Sequence, residues 1–390
     1  MREKNMKTDS RLFSRREIFQ KVADGARLAA LAATSRGVYP QTRYSMPGLY
    51  PGRVVSVTHR AASINLAYQT EPIQNMIRKG VVELTGAPNF VSGWKQMFGP
   101  ADVVGIKVNS NGVDKIIGSS AALNEILQGL LQAGVLPGNI TIYERYRKLV
   151  NKISSWLPGW VKQDTAAWDW ASDQTGMTYN PDNLSGVTGY SPNYYVDCPG
   201  FLLPGYSASN PAQTRSYLAS AITRFTKIIS VAILKDHQAA GFTLGLKNVC
   251  QGMVNNVNRA HPDVTGPHNY LNQFIPLVVG QPWIRNKVVL SVVDGTHGLW
   301  DAGPQGLGDS FIWAHNTIYF ATDMVAGDTI ASKAIDAQRI QAGLPTEANS
   351  GANAYDRYHF RQPDHIAKAG QAGLGVWQDD RIDWRRFTIG

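Results

Sequence analysis

Three short apolar runs in this 390-residue chain end in side chains able to bind anions or move protons. Asp102–Val108 (DVVGIKV) runs into Lys107 and Asn109, and Lys227–Leu234 (KIISVAIL) runs into Lys235, Asp236 and His237. Lys287–Val293 (KVVLSVV) runs into Asp294, Gly295, Thr296 and His297. Such runs read as strands covered on both faces. In open parallel α/β sheets, ligands bind beyond the carboxyl ends of the strands. Brought side by side, the three ends would line one crevice. One strand ending in a charge says only that the chain has reached water, whereas three suggest a site. Lys107, Lys235 and Lys247 would neutralise anionic groups there, with Asn109 and Asn248 as polar partners. His237 is the acid/base candidate, since an imidazole titrates near neutral pH. Asp236 or Asp294 would orient it or hold a metal. The expected catalytic set is His237, Lys247 and Asp294.

The segment after the second of these runs adds detail. Gly241 and Gly245 stand four apart, so a ligand or another backbone can approach closely, and Thr243 is a candidate N-cap. Free N–H groups at that helix start would hold an anion. The competing reading has the glycines serving close packing and Lys247 snorkelling outward. Asp294, His297 and Asp301 form a candidate divalent-metal set of oxygen and nitrogen donors. Against it, a glycine-rich loop can use its Asp side chains to bond backbone amides. His261 and His268 read as loop residues, and His59, His359 and His365 as surface or packing residues.

The elements that must position these groups alternate. Arg53–His59 reads as a strand, Pro72–Thr85 as a helix, Asp102–Val108 as a strand, Ala121–Ala133 as a helix and Ile140–Tyr143 as a strand. That order argues for parallel pairing with right-handed crossovers. Residues 150–215 break the rhythm, with Trp156, Trp160, Trp168, Trp170, Tyr190, Tyr194, Tyr195 and Tyr206 among many small and polar residues. They read as an irregular insertion packed by its own rings, or as a lid or sugar-stacking surface. Regular structure resumes with a helix over Tyr217–Phe225, the strand Lys227–Leu234, a helix over Thr243–Val254 and the strand Lys287–Val293. Ile318–Ala321 is a further strand, followed by helices over Met324–Ala342 and Asp364–Ala369. The expected fold is α/β, a mostly parallel sheet with helices on both faces over residues 50–390, interrupted by an irregular aromatic-rich insertion.

Composition narrows the class. The net charge of +9 invites a nucleic-acid reading. Residues 1–36 hold nine Lys/Arg and four acids, so of 38 basic and 29 acidic residues the rest keeps 29 and 25, or +4. No concentrated basic run remains to track a phosphate backbone, and nucleic acid is not the expected partner. No stretch reaches the roughly 18 apolar residues of a spanning helix, so an integral membrane protein is not expected. Cys198 and Cys250 are the only cysteines. They could pair across their 52-residue separation or stay buried thiols, and two cannot supply the four thiolates of an iron–sulfur cluster.

Ser14-Arg15-Arg16 with the Ala/Leu-rich stretch Val22–Ala33 resembles a twin-arginine export signal, the alternative being an amphipathic surface helix. The resemblance implies periplasmic or other extracytoplasmic placement by an export route that carries folded cargo. The runs DVVGIKVN, LKDHQAAGFTLGLKNVCQG, VVDGTHGLWDAGPQG, ATDMVAGDTIASKAID and HIAKAGQAGLGV resemble, in order, the family called domain of unknown function 362. Members of that family often carry such signals, and some are fused to ferredoxin-like modules, which implies a separate redox partner for this chain. A fainter similarity links His237, Gly241, Lys247 and Gly252 to the lactate racemase family, where the Lys tethers a nickel-pincer nucleotide. There a second acid/base His follows an early strand, and here Glu144-Arg145-Tyr146-Arg147 stands in that region.

These readings give an exported α/β protein that is expected to act on an anionic small molecule or cofactor. The rivals are a non-catalytic binding or scaffold protein that uses the Trp/Tyr-rich insertion, and a docking partner for a separate iron–sulfur protein.

Overall fold

Continuous apolar runs form the centre of the structure, a computed structural model that describes residues 41–169, 187–201, 207–261, 270–351 and 361–390. The twin-arginine stretch, Trp170, Tyr206, His268 and His359 lie outside the described residues. In chain order the strands are β1 (Arg53–Thr58), β2 (Ser63–Ile64), β3 (Ala67–Tyr68), β4 (Val104–Lys107), β5 (Ile140–Tyr143) and β6 (Lys162–Asp164). They continue as β7 (Tyr190–Asp197), β8 (Arg215–Ala219), β9 (Lys227–His237), β10 (Gly241–Phe242), β11 (Val288–Leu299), β12 (Ile312–Ala321) and β13 (Asp383–Thr388). The main sheet has the order β13-β1-β12-β11-β9-β4-β5-β6, with β10 folded back on β9. β12 runs antiparallel to both its neighbours, while β11, β9, β4, β5 and β6 pair in parallel. The protein is therefore α/β.

Alternation along β12 places helices on both faces. A Cβ on Gly80 of the helix Thr70–Thr85 would come within 2.1 Å of the Phe320 ring, whereas one on Gly327 of the helix Met324–Gln341 would lie 3.1 Å from Ala321. Successive strand residues point to opposite faces, so these helices cover opposite sides. On the first side Val55, Ile77, Ile106, Ile126, Ile142, Ile229 and Phe320 share one core. All twelve residues of β11 are buried, as its apolar sequence requires.

Two expectations are corrected. Tyr217–Phe225 is not one helix: Arg215–Ala219 is strand β8, and only Ser220–Arg224 is helical. Its apolar positions are too few to fix a period, and pairing with β7 decides the outcome. The region 150–215 is less irregular than expected, because β6 closes one edge of the main sheet and β7–β8 form a hairpin. Tyr195 and Tyr217 pack ring to ring at 5.8 Å within that hairpin, whereas Trp156 joins the main core. The order also separates β1 from β4, placing β1 between β12 and β13. Cys198 and Cys250 are buried free thiols.

Candidate active site at the carboxyl ends of the strands

Parallel pairing carries β4, β5, β9 and β11 to the same end of the sheet, where the polar ends of β4, β5 and β9 meet. Asp294 and His297 of β11, expected in the same crevice and Asp294 in the catalytic set, bond Ser119, Thr296, Ser63 and the Lys115 carbonyl instead. Lys235, past the apolar part of β9, donates from Nζ to Asn109 Oδ1 at 3.0 Å and to the Asn111 carbonyl. Lys107, ending β4, donates to Glu144 Oε1 at 3.0 Å and to Asn248 Oδ1 at 2.9 Å. Asn248 in turn donates from Nδ2 to Ser230 Oγ of β9 at 3.1 Å, which ties the helix Leu244–Met253 to the sheet. Glu144 also accepts from the Arg145 amide at 2.7 Å, and Arg145 donates to the Gln251 carbonyl at 3.0 Å.

Lys247 projects from the first turns of that helix into this same group. It is 7% exposed, and it depresses the protonation of Lys235, His237, His261 and His365 around it. Lys247 itself has neither a hydrogen bond nor an ion pair among the described residues. Burial lowers its ammonium to about 7, with Arg145 and Lys107 adding to the shift and Cys250 opposing it. Lys235 likewise falls to about 7, chiefly by burial and then by Lys247. Desolvation penalises the charged form, and like charges add to it.

The histidines are held neutral. Burial, then Lys247, pushes His237 well below its ordinary range. Its Nδ1 accepts from the Ala239 amide at 3.0 Å, which assigns the ring proton to Nε2. His261 lies 5.8 Å from His237 between ring centroids and is lowered to about 3. His365 is fully buried, so it is not a surface residue, and the cation beside it is Lys247.

The start of the helix Leu244–Met253 differs from the expectation of a free anion-binding end. Asp328, from the helix Met324–Gln341, fills it by accepting from the Gly245 and Leu246 amides at 2.8 Å each. A Cβ on Gly245 would lie 2.7 Å from Ser291 Oγ and 3.0 Å from Asp328 Oδ1, so this glycine permits that closure. Gly241 turns with φ of +70°, and a Cβ there would meet the Arg361 carbonyl at 2.8 Å. Thr243 makes no side-chain cap; its hydroxyl points to the Asp236 carbonyl at 3.5 Å.

The metal candidates separate into different groups. Asp294, level with Ile233 on β9, accepts from the Ser119 amide at 3.0 Å and the Thr296 amide at 2.9 Å. His297 bonds Ser63 Oγ through Nε2 at 2.7 Å and the Lys115 carbonyl through Nδ1 at 2.8 Å, under the stacked Tyr68 ring. Asp301 is held by Arg339 at 2.8 Å, beside Glu347 and Arg361. Asp236, on the strand between Lys235 and His237, joins this last group through Arg361 at 3.6 Å. Among the described residues, no three His, Cys, Asp or Glu side chains gather in a way that could hold a metal ion. The chemistry of Asp294, His297 and Asp301 therefore does not fit one metal centre.

Glu144 and Arg145 are the site residues that the sequence reading passed over. Their signal was the same one, an apolar strand (ITIY) running into charge.

Fold and site together define a class: an α/β protein whose parallel strands end in a buried, mostly cationic group of side chains. The sequence profile of the family described as "Domain of unknown function (DUF362)" matches residues 119–333, more than half of the chain. The chain belongs to the domain of unknown function 362 family. No protein of curated function matches it.

Proposed function

We propose that this protein is an enzyme acting on an anionic small molecule or cofactor held at the carboxyl ends of β4, β5 and β9. The observation that carries the reading is a charge imbalance. Lys107, Arg145, Lys235 and Lys247 influence one another's protonation or that of shared neighbours, and Glu144 is the carboxylate bonded among them. Buried cations in excess of the carboxylates beside them are costly, and an anionic ligand offsets that cost. A surface cavity of about 460 Å³ adjoins the group through Asn111, whose carbonyl holds Lys235.

His237 presents an Nε2–H donor to the ligand. An anion beside Lys247 weakens the field that keeps this imidazole neutral, which raises its pKa and prepares it for proton transfer on binding. Twin-arginine export is part of the proposal, resting on Ser14-Arg15-Arg16 and the small-residue stretch after it. A separate redox partner rests on the family resemblance alone, and no step is routed through it.

Native mass spectrometry on protein purified gently from its host tests the reading. The expected result is a retained anionic molecule that is lost in Lys235→Met. Ligand-free protein, together with no thermal stabilisation by phosphate, sulfate or oxalate, would sink it.

A further inference from the structure

The three buried lysines at the strand ends differ in what engages their nitrogen. Lys107 donates to Glu144, Asn248 and the Val108 carbonyl, and Lys235 donates to Asn109 and the Asn111 carbonyl. Those bonds orient N–H groups toward acceptors and commit both lysines to holding charge. Lys247 is also buried, stands on a helix rather than a loop, and has no acceptor for its N–H groups among the described residues. Its surroundings are cations and imidazoles, with Cys250 one turn further along the same helix. A desolvated amine beside other cations sheds its proton and keeps a free lone pair, the condition that makes a lysine nucleophilic near neutral pH.

We propose that Lys247 is a covalent nucleophile toward an anionic aldehyde or ketone, with Lys235, whose Nζ makes two hydrogen bonds and so has one N–H left, holding the anionic end. This rests on the anion-binding reading above. The Lys247 nitrogen attacks the carbonyl carbon, forming the C–N bond as the C=O π pair moves onto oxygen. One N–H proton passes to that oxygen, which gives a carbinolamine. The C–O bond then breaks, the hydroxyl leaves with the second N–H proton as water, and an imine remains. Amine and carbonyl compound give imine and water, so no oxidant or reductant takes part.

The experiment uses the whole chain with glyoxylate, a small anionic aldehyde, trapped by cyanoborohydride and mapped by peptide mass spectrometry. Lys247 should be labelled at about tenfold lower glyoxylate than exposed Lys95, and its labelling should rise as pH increases through about 7. Oxalate, an anion with no aldehyde, is titrated in parallel by calorimetry. Oxalate binding with preferential Lys247 labelling bears the proposal out. Oxalate binding with Lys247 labelled no better than Lys95 overturns the nucleophile and leaves the anion site standing. Failure of both overturns both readings, and labelling without oxalate binding overturns the anion reading alone. Lys247→Arg, which forms no imine, should lose the adduct.

Discussion

Lys107 Nζ lies 3.0 Å from Glu144 Oε1, and this buried pair joins the carboxyl ends of β4 and β5. Burial lowers the lysine, and Glu144 is the main influence opposing that shift. Removing one partner of a buried ion pair leaves an uncompensated charge and costs about 3–5 kcal/mol. Glu144→Gln should therefore lower stability to urea by about that amount. It also removes a negative charge from beside the anion site, so oxalate binding should tighten. A variant that loses both stability and affinity would place Glu144 in contact with the ligand instead.

The depressed protonation of Lys247 carries a pH signature. Its folded value of about 7 lies below the ordinary 10.5, so between those limits the unfolded chain holds a proton that the native state lacks. Stability then rises with pH across that window, and the penalty of burial is complete below about 7. Lys247→Met should stabilise the protein most in acid, by up to a few kcal/mol, and least above pH 10. Melting temperatures of both proteins across that range check this. An equal gain at every pH would mean that the native amine titrates as it does in the unfolded chain.

Arg339 and Arg361 share Asp301 and Glu347 in a buried cluster that Asp236 joins from the strand carrying Lys235 and His237. Burial raises Asp236 to about 7, with Arg361 opposing the shift. Arg339→Met should cost about 3–5 kcal/mol at neutral pH. A buried acid with a raised pKa destabilises above that pKa and is relieved as pH falls toward its unfolded value. The deficit should thus be smaller in acid than in alkali, as urea unfolding on either side of neutrality would show.

Gly252 leaves space for Lys107. A Cβ there would lie 1.8 Å from Lys107 Cε, so Gly252→Ala must displace the lysine from Glu144 and Asn248. Overpacking of this kind costs about 1–3 kcal/mol. A crystal structure of the variant with Lys107 unmoved would refute the steric argument.

Export is tested with residues 1–36 fused to a folded reporter. The fusion should cross the membrane, and replacing Arg15 and Arg16 by lysine should leave it inside. Transport of both would count against a twin-arginine route.

Much of the candidate site's geometry was legible because strand sequences announce both their burial and their ends. Lys107, Asn109, Lys235, His237, Lys247 and Asn248 meet where the runs DVVGIKV and KIISVAIL predict. Glu144 and Arg145 followed the same rule after a strand of only four residues, short enough to be overlooked. The helix start at Leu244 was misjudged because its amides are filled by Asp328, 83 residues from Gly245. No local pattern reports so distant a carboxylate. The same holds for Asp301, which spacing grouped with His297 but which pairs with arginines from later in the chain.

By itself the sequence determined the long buried strands of the main sheet and several of the helices that flank them, since hydrophobic periodicity and strand endings are local properties. Strand order was decided only in three dimensions, where β12 enters antiparallel and separates β1 from β11. Tertiary structure also decided which cations are paired. Lys107 and Lys235 find acceptors across sequence separations of 141 and 126 residues, while Lys247 finds none among the described residues. A lysine's chemistry follows from what surrounds its nitrogen, and those neighbours are assembled by the packing of distant segments.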